Sequence, residues 1–242
     1  MKNMKTPERI SSVEVFRREE NPFEDERISQ EWINNVEGEK NTARDKYIYP
    51  KLSGWIEESK PEVVVEIGAG QGICSDKLGN FKGRYIGIEP SAHLVKRAKE
   101  LYVEENRKFI LGDAYALPLE SESTDASFSV NVWFHLENLE QASRELARIL
   151  KPGGKLMIIT SNPEAYDLWE SWYSDAAKEG KKLTGKILTP VNPLTKNIFY
   201  QHALGEILES LEVNGLEIES TEEFADNSGY KSFICIKGIK RR

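Results

Sequence analysis

Val64-Val65-Glu66-Ile67-Gly68-Ala69-Gly70-Gln71-Gly72 decides the fold. Its first residues read as the end of a buried strand, and three glycines follow at alternate positions. Glycine takes positive φ without steric cost and lets a ligand approach the backbone closely. The loop is expected to lead into a helix, whose first unpaired N–H groups would add donors to the same turn. The bland alternative is a tight strand-to-helix turn that holds nothing.

Outward from this loop, short apolar runs alternate with amphipathic segments from Pro61 onward, the pattern of a mostly parallel sheet built from βαβ units. Strands are expected at Val63 to Ile67, Arg84 to Ile88, Lys108 to Leu111, Ala126 to Val130, Lys155 to Thr160, Leu216 to Glu219 and Ser232 to Lys237. The clearest helices are Ala92 to Val103, Leu139 to Leu150 and Ala203 to Val213. Residues 1–60 are polar and helical in pattern: after Asn21-Pro22, the residues Phe23, Ile28, Trp32, Ile33 and Val36 recur at helical spacing, an N-terminal helical cap. Residues 61–242 form the core, interrupted at 161–201 by an aromatic-rich, lid-like insertion.

Composition narrows the classes. The chain has 242 residues, 39% hydrophobic and 30% charged, enough for one elaborated α/β domain and too apolar for disorder. Forty acidic against 33 basic side chains give a net charge of −7, so neither nucleic acid nor an anionic membrane is the expected partner. Cys74 and Cys235 form no CxxC pair, which leaves a disulfide framework or zinc knuckle without support. No stretch has the apolar length of a signal peptide or a bilayer span, so a soluble, cytoplasmic protein without membrane insertion is expected.

The acids at the strand ends indicate the ligand. In the dinucleotide fingerprint GxGxxG the third glycine would fall on Ile73, which counts against NAD. Glu66, two residues before the first glycine, would repel a pyrophosphate but suits a cationic amine. Glu89, about twenty residues after the loop at the end of Tyr85-Ile86-Gly87-Ile88-Glu89-Pro90-Ser91, stands where a carboxylate accepts from both ribose hydroxyls. Asp113, in Gly112-Asp113-Ala114-Tyr115-Ala116-Leu117-Pro118, could accept from an exocyclic amine such as adenine N6, and taken alone it reads as a turn residue. Together these suit a nucleotide that bears an amino acid.

These runs, with Arg144-Glu145-Leu146-Ala147-Arg148-Ile149-Leu150-Lys151-Pro152-Gly153-Gly154, resemble the successive motifs of class I S-adenosylmethionine-dependent methyltransferases, most of all the small-molecule branch that includes quinone-biosynthesis enzymes. The likeness covers roughly residues 60 to 160 and, more loosely, the end of the chain. It implies a Rossmann-like seven-stranded sheet flanked by helices, with an antiparallel last strand. It also implies S-adenosyl-L-methionine as cofactor, S-adenosyl-L-homocysteine as product, and a small-molecule methyl acceptor. Carried onto this sequence, Glu66 would engage the methionine ammonium, Gly68, Ala69, Gly70 and Gly72 would pack on the cofactor, Glu89 and Pro90 would border the ribose, and Asp113 and Ala114 would read adenine. Asn131 and Val132 would approach the methionine moiety, and Leu94 either covers one adenine face or is plain core; apart from the resemblance, Arg44 of the N-terminal cap is a candidate to pair with the cofactor carboxylate. An alternative class is a cofactor-binding regulatory or scaffold protein without turnover.

Methyl transfer from a sulfonium is an in-line displacement, so positioning and exclusion of water supply much of the effect. A base is needed only for an acceptor that arrives protonated. His135, after the fourth strand, is the candidate, with a packing role as its rival. In the insertion, Tyr166, Trp169, Trp172 and Tyr173 fall largely on one helical face. Tyr166, Trp169, Tyr173, Tyr200 and His202 are candidates for an acceptor pocket, with packing on the sheet as the alternative. No His, Asp and Glu spacing supports a metal.

Overall fold

The parallel strands are continuous apolar runs because both of their faces are covered. The structure, a computed structural model, describes residues 21–38, 42–171, 173–187 and 196–242. Helix α1 (Glu26–Gly38) and α2 (Tyr49–Ser59) precede β1 (Val63–Ile67), β2 (Arg84–Glu89), α3 (Ala92–Leu101), β3 (Arg107–Leu111), β4 (Thr124–Val130), α4 (Leu139–Ile149) and β5 (Leu150–Ser161). Next come α5 (Tyr166–Ser171), β6 (Tyr173–Glu179), β7 (Lys182–Ile187), β8 (Lys196–Tyr200), α6 (Leu204–Glu212), β9 (Leu216–Phe224) and β10 (Phe233–Lys240). The main sheet has seven strands in the order β3-β2-β1-β4-β5-β10-β9. Strands β1 to β5 run parallel, and β10, antiparallel to both neighbours, lies between β5 and β9. The seven expected strands are all present, with β9 extended to Phe224 and β10 to Lys240.

Two apolar layers sandwich the sheet. On one face Leu146 and Ile149 of α4, with Ile207 and Leu211 of α6, pack on Val65, Ile158 and Ile236. On the other, Leu52, Trp55 and Ile56 of α2, with Val95 and Ala98 of α3, cover Val64, Phe128 and Met157. The N-terminal segment opens as expected: Asn21 caps a 3₁₀ turn at Pro22–Glu24, and Ile33 and Val36 on α1 are buried.

Two expectations are corrected. The glycine loop leads into no α-helix, only a 3₁₀ turn at Ile73–Asp76. Gly79 shows why: its φ of 65° is outside the helical range, and a Cβ there would stand 2.5 Å from Ser53 Oγ, because the connection runs tight against α2. Helix α2 covers the face that the missing helix would have taken. The insertion is also not one aromatic helix: after the single short helix α5 it forms a separate antiparallel sheet in the order β6-β7-β8, with Tyr173 in a strand. Trp172 and the side chains of Trp169 and Tyr173 lie outside the described residues.

The Arg144 to Gly154 run braces the turn after β3. Arg148 donates to the carbonyls of Leu117 and Leu119 at 2.8 and 2.6 Å and pairs with Glu145 at 2.8 Å. Glu145 in turn accepts from the Leu117 N–H at 2.8 Å. Replacing Arg148 with Met strands these acceptors, so Arg148→Met is expected to destabilise the fold by about 1–3 kcal/mol. The urea midpoint should fall with the slope unchanged; an unmoved midpoint would mean that the brace contributes nothing.

Candidate functional site

The glycine loop curls over the carboxyl rim of the parallel strands. Gly68 and Gly70 have φ of 74° and 54°, which turns successive amides to one side. Gly68 and Ala69 N–H both donate to the Ile88 carbonyl, at 2.7 and 3.0 Å, and Gly70 N–H donates to the Glu89 carboxylate at 2.9 Å. A Cβ on Gly68 would stand 2.3 Å from Val132 Cγ2, so only glycine lets the loop sink against the segment after β4. A Cβ on Gly70 would meet no atom within 4 Å, which leaves its amide face approachable by a ligand.

Acceptors line the rim. Glu89 is buried, and its second carboxylate oxygen accepts from Ser91 N–H at 2.9 Å. Burial pushes its carboxyl up to about 7, helped by the facing charge of Glu24 and opposed by the two amide bonds. Glu66 is buried on β1, accepts from the Tyr85 hydroxyl, and is lifted to about 8 by desolvation. Asp113 accepts from Tyr115 and Ala116 N–H at 2.7 and 3.1 Å, which folds the turn around the buried Ala114. Asn131, at the end of β4, has φ of 58°. A left-handed non-glycine costs roughly 1–3 kcal/mol and tends to mark functional sites. Asn131 Oδ1 and Gln71 Oε1 are buried without a hydrogen-bond partner among the described residues. Carboxylates and orphaned carbonyl oxygens on one rim match a ligand rich in donors: an ammonium, vicinal hydroxyls and an exocyclic amine, the donor set of S-adenosylmethionine.

Other expected residues lie around this rim. Residues Arg44–Ile48 form a π-helical turn, closed by Tyr49 N–H on the Arg44 carbonyl; such turns are rare and frequent at functional sites. The Arg44 charge bears on Cys74 and Tyr49, at the Glu66 end. Pro90 is exposed at the tip of β2, whereas Leu94 is buried in the core face of α3.

The N-terminal segment crosses the site in a way the sequence reading missed. Phe23 C=O accepts from Ser91 Oγ at 2.6 Å. Glu37 on α1 takes two bonds from Arg97, at 2.9 and 2.8 Å, and one from Gln71 Nε2 of the glycine loop, at 3.2 Å. The one legible signal was Ser91, an N-cap residue placed directly after Glu89 and Pro90.

The small sheet docks beside the segment after β4. Phe134, Leu183 and Phe199 form a buried cluster against Tyr166. His135 Nδ1 bonds the Ile198 carbonyl and His202 Nε2 the Leu136 carbonyl, both at 2.7 Å. A carbonyl can only accept, so both ring nitrogens carry protons, and the lone pair of His135 is on Nε2. Tyr166 donates to the His202 carbonyl at 2.7 Å, and Tyr200 is buried. Tyr166, Tyr200 and His202 thus join the seam between the small sheet and the core. Among the described residues no group of three His, Cys, Asp or Glu could hold a metal, and no helix is long and apolar enough to cross a membrane.

Comparison with known proteins agrees with the fold. Residues 65–158 match the family described as methyltransferase domain. An uncharacterized methyltransferase of Geobacillus kaustophilus is 31% identical over 136 residues, covering 54% of this chain and 62% of that protein. The match spans only 38% of the length of two relatives from Mycobacterium leprae. A crystal structure of a Pyrococcus horikoshii protein superposes with a TM-score of 0.68 at 19% identity, over 82% of this chain and 90% of that one. The SAM-dependent methyltransferase structure from Methanosarcina mazei gives 0.63 at 19% identity, over 77% and 97%.

Burial lowers His135 to about 4 and His202 in the same direction. Folded, these rings bind fewer protons than when unfolded, so their contribution is complete above about pH 6.5 and declines as pH falls toward 4. The slope reaches at most about 1.4 kcal/mol per pH unit per ring. Glu66 and Glu89, raised by burial, act oppositely, so the measurement is a difference. Between about pH 7 and 5, His135→Asn should lose less stability than the wild type in urea titrations; parallel curves would show that His135 does not titrate on unfolding.

Proposed function

We propose that this chain, whose residues 65–158 match the methyltransferase-domain family and whose fold matches that of solved SAM-dependent methyltransferase structures, transfers a methyl group from S-adenosyl-L-methionine to a small-molecule acceptor. The observation that carries the reading is the acceptor-lined rim, in which Glu66, Glu89 and Asp113 stand at successive strand ends around the Gly68–Gly70 curl. Bound there, the cofactor supplies an electrophilic methyl group on a sulfonium.

The chain's own residues do the rest. Glu89 accepts from the ribose hydroxyls while its amide bonds keep the carboxylate aimed. Glu66 and Asn131 Oδ1 take the ammonium, Arg44 takes the carboxylate, and Asp113 with Ala114 reads adenine. Val132, packed on Gly68, fixes how near the methionine end comes to β4. His135 Nε2, neutral and with its tautomer set by Ile198, accepts the proton of an acceptor hydroxyl or amine. The insertion acts as a lid that excludes water, with Tyr166, Tyr200 and His202 anchoring it. The N-terminal cap, through Glu37 and Arg97, closes the cofactor side.

Incubating the protein with methyl-labelled cofactor and a metabolite extract tests this by mass spectrometry. Label in a small molecule is the expected result; cofactor binding with no labelled product would instead favour a binding or scaffold role. Glu89→Ala should weaken S-adenosylhomocysteine binding by about ten- to a hundredfold, roughly 1.5–3 kcal/mol. Glu89→Gln, which keeps one acceptor oxygen, should fall between. An unchanged dissociation constant in calorimetry would remove Glu89 from the ribose.

A further inference from the structure

Tyr85 is absent from the expected site, yet it is the side chain that reaches Glu66. It lies on β2 with 1% of its surface exposed, its ring against Phe109 at 5.6 Å between centroids. Its hydroxyl donates to Glu66 Oε2. The path runs over Gly87, the direct ladder partner of Glu66. A Cβ on Gly87 would stand 3.0 Å from Tyr85 Oη, 2.8 Å from Ala69 Cβ and 2.8 Å from the Phe109 ring. Glycine at this position keeps open the gap through which the hydroxyl meets the carboxyl.

The surroundings of Glu66 contain no ion-pair partner among the described residues. Tyr85 from β2 and the Cys74 thiol beside it are neutral donors, and burial pushes both of them up. Tyr49 from α2 and Glu89 from the tip of β2 also face the pair, and Arg44 of the π-turn acts on Cys74 and Tyr49. A carboxyl desolvated among neutral groups keeps its proton until a cation supplies the missing charge.

We infer that Tyr85 is a positioning residue for the cofactor's amino-acid end: reaching over Gly87, its hydroxyl holds Glu66, which carries a proton until a cationic ligand displaces it. The identity of that cation rests on the function proposed above. On binding, the Glu66 O–H bond breaks, its proton goes to solvent, and an N–H of the ligand's ammonium bonds the carboxylate oxygen. Affinity therefore rises with pH up to the range where free Glu66 ionises, by at most about tenfold per pH unit. Removing the Tyr85 hydroxyl takes away a donor that favours the carboxylate, which moves that range upward.

Two measurements test this. Infrared difference spectra of the ligand-free protein, wild type against Glu66→Gln, should show a protonated carboxylic acid at pH 7; an ionised carboxylate there overturns the inference. Calorimetry with S-adenosylhomocysteine in buffers of different ionisation enthalpy should show about one proton released at pH 7 in the wild type, relative to Glu66→Gln. That difference cancels titration of the ligand's own amine. Tyr85→Phe should shift the plateau of affinity to higher pH; a release of zero, or a Tyr85→Phe profile that overlays the wild type, overturns the proposal. Failure of the wild type to bind either sulfur nucleotide would sink the functional reading, while the infrared result still judges the Glu66 proton.

Discussion

Three consecutive amides, those of Gly68, Ala69 and Gly70, donate to one strand end, the first two to the Ile88 carbonyl and the third to the Glu89 carboxylate. Loop amides have no ladder to satisfy them, and burying them unpaired is costly. Positive φ at alternate glycines makes the shared acceptor reachable, and the acceptor exists because β2 pairs beside β1 and ends in an acid. Remove this clamp and the glycine loop loses its shape, Val132 loses the surface against which it packs, and Glu89 loses one of the two bonds that aim it. The position of every other rim residue is measured from this contact.

The same economy governs charge. Glu66 and Glu89 are both buried and both raised by desolvation, yet each is held by neutral donors instead of cations. A rim built this way waits for positive charge and hydroxyl donors from outside. The histidines at the seam are the mirror case, bases kept neutral by burial. Burial thus shifts the acids up and the bases down, each toward its neutral form, which lowers the cost of packing them against apolar neighbours.

Much of this was legible. Runs such as Val63 to Ile67 and Lys155 to Thr160 are apolar because both faces of the sheet are covered, so the strands stand out from their neighbours. The glycine spacing and the acids at residues 66, 89 and 113 stand out in the sequence because they recur at or just past successive strand ends. What stayed hidden depends on distant contacts. Gly79 is an ordinary glycine on paper, and its left-handed φ beside Ser53 of α2 shows only in the structure. Tyr85 reads as a strand aromatic, and its reach to Glu66 shows only once Gly87 is paired across the ladder. Tyr166, Trp169, Trp172 and Tyr173 suit a helical period, and the first two do lie in α5, but Tyr173 is taken into β6 by its pairing with β7.

The placement of β10 has a consequence for how the chain reaches this state. It is the strand that bonds β5 on one side and β9 on the other, so β9 has no other route into the sheet. Until Phe233–Lys240 arrives, β5 presents a long row of unpaired amides and carbonyls flanked by Leu156, Met157, Ile158 and Ile159. An apolar strand with an open edge is a template for pairing with another chain. Closing it joins β5 to a strand about eighty residues away, since Ile158 pairs with Ile236, a separation that slows folding. The late, interior strand is therefore the point at which correct completion competes with aggregation, and the acidic side chains along β9, among them Glu217, Glu219, Glu222 and Glu223, make the finished edge a poor partner for the same misassembly.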